Sequence, residues 1–258
     1  MRRASTSIAN LARLHLAPSG VLRAGINLSN VLLVTGEDTD GAPLGVAPDM
    51  AAELARRLGL PLRLEPFAHP DVLCEAATAK GWDVALVGAD PARAEHIAFS
   101  PAYCEIQCTF LVRASDRSRF ANLADVDVPG VRIAVKSGGA YDLWLERHLR
   151  HAKIVRAATL DASFELFDEH GLDALAGLRP KLLEDSAKGD FKLLDEPFMR
   201  VQQALGCLRA GEGEAPAAAR EYLREFAEDA ITSGLVEALI QKHGVVGRLS
   251  VAQPSQGT

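Results

Sequence analysis

The segment "WDVALVGADPARAEHIAFSPAY" (residues 82–103) changes character halfway along. It opens as an apolar run that ends at Gly88, the length of a buried strand. An acid, a proline and a base follow as Asp90-Pro91-Ala92-Arg93, and a mixed stretch leads to Phe99-Ser100-Pro101-Ala102-Tyr103. Two readings of the charged turn stand. Asp90 can cap a helix that starts with Pro91 at the favoured first position, leaving Arg93 on a solvated turn. Alternatively, Arg93 can grip a carboxylate in bidentate fashion while Asp90 accepts from an ammonium, together matching the head of an amino acid.

Upstream, "VLRAGIN" (21–27) is a short strand, and residues 35–46 read as a hairpin or loop. "APDMAAELARRLGL" (47–60) is an amphipathic helix with Met50, Leu54 and Leu58 on one face and Gly59 at its stop. "PLRLEPF" (61–67) is a strand, and residues 71–81 form a helix closed by Gly81. Strands alternating with helices indicate an α/β unit with a mostly parallel sheet. Downstream the pattern repeats. A short helix and turn (121–130) lead to a strand over 131–135, the glycine turn "KSGG" and a helix over 140–152. Then come a strand at 153–157, a helix at 160–171, a strand at 172–178, a helix at 179–189 and a strand at 191–197. The expectation is two α/β lobes, followed by a helix pair over 217–245 jointed at Gly234. Residues 249–258 are expected to be disordered. Residues 1–18 have no continuous apolar stretch, being broken by Arg13 and His15, and read as a frayed arm or short amphipathic turn. The absence of a signal-peptide pattern there gives a cytoplasmic location as the expectation.

Composition excludes several classes. The 258 residues are 48% hydrophobic and 24% charged, as in a folded globular chain. A net charge of -6 argues against a nucleic-acid partner, and no run is long enough for a transmembrane helix. Cys104 and Cys108 lie about 13 Å apart along a strand-like run, too far for a disulfide. With Cys74 and Cys207 they read as small buried residues. The chain has no phosphate loop, nucleophile elbow, dinucleotide fingerprint or zinc-helix motif, so neither a cofactor nor a metal is expected. His148 and His151 share an expected helix face without a third ligand. Trp82, Trp144, Tyr103 and Tyr141 read as core or lobe-interface residues.

Ligands of open α/β sheets bind beyond the carboxyl ends of the strands. Three segments meet that description: Asn27, Ser29 and Asn30; Gly88, Asp90 and Arg93; and Ser137, Gly138, Gly139 and Ala140. In the third, the glycines allow a tight turn, and Tyr141 follows in the first turn of the helix. Its free N–H groups and the Ser137 hydroxyl could hold a carboxylate, although a plain strand-to-helix turn explains the pattern equally.

Taken in order, "LRAGIN", "GVAPDMAAELARRLGL", "WDVALVGADPARAEHIAFSPAY", "PGVRIAVKSGGAYDLWL", "GLDALAGL" and "QQALGCLRAG" resemble the family 3 solute receptors of polar amino-acid ABC transporters, which have the type II periplasmic-binding-protein fold. The resemblance covers roughly residues 19–246. It implies lobe one at 19–112 and 198–258, lobe two at 113–197 and an N-terminal arm at 1–18. Its hinge would be two crossing strands, near Leu111-Val112-Arg113 and Asp195-Glu196-Pro197. It implies that Arg93 holds the ligand's α-carboxylate, and that the Ser137–Ala140 turn completes the cage when the lobes close. The sequence departs from the family in four places, the first being that the Ser137–Ala140 turn lacks the family's threonine hydroxyls. Asp90 stands where a threonine is usual. Asn30-Val31-Leu32-Leu33 replaces the aromatic clamp. The acid expected after Asp173-Ala174 is missing, and Arg179 nearby could meet a second acidic group on the ligand. The implied function is a monomeric, non-catalytic receptor for an amino acid or related carboxylate, with a transporter permease as partner. The alternatives are a cyclohexadienyl-dehydratase-like lyase on the same scaffold and a cytosolic metabolite sensor.

Overall fold

The computed structural model describes residues 2–116, 118–209 and 211–253. The chain divides into two compact units, Met1–Glu105 with Gln202–Thr258, and Ile106–Val201.

In unit one the order is α1 (Arg2–Leu16), β1 (Leu22–Asn27), β2 (Gly36–Glu37), β3 (Pro43–Leu44), α2 (Val46–Leu58), β4 (Leu62–Phe67), α3 (Pro70–Glu75), β5 (Val84–Gly88) and the first half of β6 (Ile97–Arg113). Strand β1 lies between β4 and β5, parallel to both, with Leu22 opposite Leu62 and Ala24 opposite Val84. All of β5 is buried, which is why its sequence is continuously apolar rather than alternating. Helix α2 buries Met50, Ala51, Leu54, Ala55 and Leu58. It ends where Gly59 takes the left-handed conformation at φ 63°. Trp82 is fully buried and packs on Gly25, where a Cβ would lie 3.1 Å from the indole; its Nε1 donates to the Leu73 carbonyl at 2.8 Å.

Unit two takes the rest of β6, then α4 (Leu123–Val126), β7 (Arg132–Lys136), α5 (Ala140–His148), β8 (Lys153–Ala157), α6 (Leu160–Glu169), β9 (Ala174–Leu178), α7 (Arg179–Ser186) and β10 (Phe191–Leu193). Strand β7 is central and parallel to β8 and β9, while β6 runs antiparallel to β9 and β10. Its core is built from Phe110, Val112, Phe120, Ile133, Val135, Tyr141 and Leu145. The chain returns to unit one within β11 (Met199–Leu208), which pairs antiparallel with β5, and ends through α8 (Glu214–Thr232), α9 (Leu235–Lys242) and β12 (Ser250–Val251).

Four sequence expectations are corrected. First, residues 2–18 are neither a frayed arm nor a short turn, and Met1 lies outside the described residues. Helix α1 packs against α8, with Ala12 and Leu16 fully buried, and His15 Nε2 lies 3.1 Å from the Leu208 carbonyl oxygen. Ala12 and Leu16 are four residues apart and share a helix face, so the polar residues between them do not interrupt the stripe. Second, Ser250 and Val251 are not disordered: they pair with Glu105 and Cys104 of β6, and Ala252 N–H bonds the Tyr103 carbonyl at 3.1 Å. The remainder of that tail, 254–258, lies outside the described residues. Third, the helix expected over 140–152 stops at His148, so His148 and His151 do not share a helix face. The Asp127 carboxylate accepts from the N–H groups of Arg150, His151 and Ala152 at 2.8–3.1 Å and turns the chain there. Fourth, the strand expected over 191–197 ends at Leu193, and Asp195-Glu196 form a bend before Pro197. Pro197 has no N–H to offer a ladder. The Thr109 hydroxyl engages the carbonyls of Leu194 and Glu196 instead.

Candidate functional site

The carboxyl ends of β1, β4 and β5 lie along one edge of the unit-one sheet, because the three strands are parallel. Beyond β5 the chain makes a single 3₁₀ turn, Arg93–Glu95, rather than a helix. Asp90 Oδ1 accepts the Ala92 N–H at 2.9 Å, and the Asp90 carbonyl accepts the Ala94 N–H at 3.0 Å. Asp90 therefore does act as a local cap, of the Asx-turn kind. Arg93 is only 7% exposed, and its Nη1 donates to the Gly88 carbonyl at 2.6 Å, which folds the guanidinium back over the strand end. Burial pushes the Arg93 pKa down, while Cys74, Asp90 and Asp71 pull it back up. An arginine stays protonated through such a shift, so the site carries a buried positive charge.

Asn27 Oδ1 accepts from the Ser29 N–H at 3.2 Å and the Ser29 hydroxyl at 2.8 Å. Asn30 is buried, and its Oδ1 accepts the Leu32 N–H at 3.2 Å. These bonds shape the loop after β1 and fix how both amides are presented. In the region where an aromatic clamp was implied, Leu32 and Leu33 are buried and Val31 is exposed. Three residues at this edge were not among the site residues expected from the sequence. Asp71 and Cys74, on α3, act electrostatically on Arg93. His69 sits at the N-cap of α3, with Nδ1 buried and lacking a hydrogen-bond partner. The signal for His69 was present: a polar ring between a strand and a proline-started helix, at a carboxyl end.

In unit two, Gly138 turns the chain after β7 with φ 73°, and Gly139 caps α5. Ser137 N–H bonds the Ala157 carbonyl at 2.8 Å. Gly138 N–H donates to Asp142 Oδ2 at 3.0 Å, and the buried Asp142 is held by Arg156 Nε at 2.9 Å. The first anion at this helix end thus belongs to the chain itself. Ala140 and Tyr141 are both buried in the unit-two core. The Tyr141 ring backs the turn, 3.0 Å from where a Gly139 Cβ would sit, and burial pushes its phenol pKa upward. Ser137, Gly138, Gly139, Ala140 and Tyr141 are therefore assembled at one strand end. Arg179 is engaged elsewhere: its Nη1 donates to the carbonyls of Leu194 and Asp195, each at 3.2 Å.

Among the described residues no group of three or more His, Cys, Asp or Glu could hold a metal ion, and no helix is long and apolar enough to cross a membrane. The family model for bacterial extracellular solute-binding proteins, family 3, matches residues 22–245. A cyclohexadienyl dehydratase of Pseudomonas aeruginosa is 30% identical over 118 residues, 45% of this chain and 44% of that enzyme, so the match spans less than half of the enzyme's length. Among solved structures, a mutant of ArgBP from T. maritima superposes with a TM-score of 0.70 at 22% identity, covering 91% of this chain and 99% of that one. The ancestral amino acid-binding protein AncCDT-1, described as a precursor of cyclohexadienyl dehydratase, gives a TM-score of 0.70 at 19% identity, covering 90% and 98%.

Proposed function

The chain belongs to the bacterial extracellular solute-binding proteins, family 3, and has their type II periplasmic-binding-protein fold; on that premise we propose that it closes on a small amino acid or related carboxylate, anchored by Arg93. The observation that carries this reading is the buried guanidinium beyond the end of β5. The bond to the Gly88 carbonyl fixes the guanidinium at the carboxyl end of a parallel strand, where ligands of open α/β sheets bind, and a guanidinium fork matches a carboxylate. Asp90 supplies the negative partner for an ammonium. Asn27 and Asn30 follow the neighbouring parallel strand β1, and in unit two the Ser137 hydroxyl is a separate candidate contact for a carboxylate. The names of ArgBP and of the ancestral amino acid-binding protein support an amino acid as the ligand.

Calorimetric titration with a panel of amino acids and dicarboxylates tests this. Arg93→Ala is expected to weaken binding by about 2–5 kcal/mol. Unchanged affinity would remove Arg93 from the site, and turnover of any panel member would replace the receptor reading with an enzymatic one. A permease partner requires export, whereas the cytoplasmic location proposed from residues 1–18 goes with a metabolite sensor. Fractionating cells that make the full-length chain separates the two.

A further inference from the structure

Unit one has a cavity of about 250 Å³ bordering the amino end of β5, lined by Lys80, His96 and Arg209 with Glu95, Ala77 and Leu208. Lys80 is the one described non-glycine residue with positive φ, at 53°. The reason is visible in the backbone. Lys80 N–H bonds the Ala77 carbonyl at 3.2 Å and Gly81 N–H bonds the Ala76 carbonyl at 2.9 Å. These two bonds form the helix-closing motif whose left-handed position is normally glycine. Here glycine comes one residue late, and a lysine bears the strain. The backbone gains nothing from a side chain at this point, so what the residue adds is its ammonium, placed at the cavity.

The other cations point the same way. Several arginines described here are paired with carboxylates, as Arg23 is with Asp83, Arg57 with Glu53 and Arg156 with Asp142. Among the described residues, no hydrogen bond or ion pair engages the side chains of Lys80, His96 or Arg209. Backbone bonds nevertheless hold all three in place. Arg209 N–H bonds the His96 carbonyl at 2.8 Å, and Arg23 Nη1 bonds the Lys80 carbonyl at 2.9 Å. We propose that this cavity is a second binding site, for a small oxyanion (a phosphate, sulfate or carboxylate group), held by Lys80 and Arg209 with His96.

The test is calorimetric titration of the full-length chain with inorganic phosphate in low-chloride buffer, set beside Lys80→Gly and Arg209→Ala. One saturable site is expected, with each substitution weakening it about tenfold through loss of a charge-assisted contact. Lys80→Gly also relieves the left-handed strain, so its melting temperature is expected to rise while its phosphate affinity falls. That combination cannot come from misfolding. The inference is overturned by any of three results: no saturable binding at millimolar phosphate, undiminished affinity in both variants, or equal displacement by chloride at matched ionic strength.

Discussion

Gly45→Ala is the substitution for which the structure gives the sharpest expectation. Gly45 precedes α2 with φ 151° and ψ -175°, a conformation closed to residues with a side chain. A Cβ there would lie 2.2 Å from the Leu33 carbonyl oxygen and 2.8 Å from Leu33 C and Val34 Cα. An unstrained carbon-to-oxygen contact sits near about 3.3 Å, so the overlap is about 1 Å. All three atoms are backbone, so no rotamer change can relieve it. The Leu33 carbonyl also accepts the Ala47 N–H at 3.1 Å, and moving it gives up that bond. The forbidden dihedral contributes about 1–3 kcal/mol and the lost bond about 1 kcal/mol, so with residual overlap the destabilisation is about 3–5 kcal/mol. Urea unfolding followed by far-ultraviolet circular dichroism measures it. Two companions set the scale. Gly206→Ala meets the Ile97 Cγ2 at 2.3 Å, a side chain that can partly yield, and is expected to lose about 1–3 kcal/mol. Gly25→Ala meets the indole of Trp82 at 3.1 Å and is expected to lose least. A loss below about 1 kcal/mol for Gly45→Ala, or a rank below Gly25→Ala, would refute the steric argument. The loop carrying Asn30 ends at Leu33 and Val34, so ligand affinity should fall in parallel with stability.

Other expectations follow from features already described. Ala12→Asp places a carboxylate in the fully buried face of α1 and should cost about 2–4 kcal/mol in the same unfolding assay; no loss would mean that α1 does not dock in solution. Asp49 joins α2 to α9 through Lys242 Nζ and His243 Nε2, each 2.7 Å away. Burial pushes its pKa up, but these bonds outweigh burial and leave it below the ordinary carboxylate value. A lowered folded-state pKa means stability that is present above the unfolded pKa and lost as pH falls through the folded one. Asp49→Asn should therefore flatten the acid limb of a stability-against-pH curve, and an unchanged limb would remove the clasp from that role. Asp142→Asn leaves Arg156 without its buried partner and should destabilise by about 1–3 kcal/mol, read as a lower melting temperature; a neutral result would mean that this carboxylate is not what holds the turn after β7.

Where local chemistry and tertiary packing agree, the sequence could be read directly. Helix α2 is legible because Met50, Leu54 and Leu58 repeat at the helix period and Gly59 supplies the left-handed stop. Strand β5 is legible because burial on both faces leaves a continuous apolar run. The misses come from partners far along the chain. Helix α1 packs against α8, some two hundred residues away, and β12 pairs with β6, more than a hundred residues upstream. The early end of α5 depends on Asp127, whose carboxylate reaches forward to residues 150–152. At the site, the charged turn after Gly88 was visible as residues, but not the burial of Arg93 or its bond back to the Gly88 carbonyl. Nor could spacing alone reveal that Asp142, four residues past Gly138, takes that N–H for itself.

The two tryptophans are divided between the units: Trp82 belongs to unit one and Trp144 to unit two. Their surroundings differ. Trp82 is sealed from solvent with its N–H bonded, whereas Trp144 is partly exposed and stacked on the His148 ring at 3.9 Å. The protein therefore carries one intrinsic optical probe per unit. Trp82 should emit to the blue and resist acrylamide, while Trp144 should emit to the red and be readily quenched. With Trp144→Phe the emission belongs to unit one alone, so the order in which the units lose structure can be followed without attaching a label.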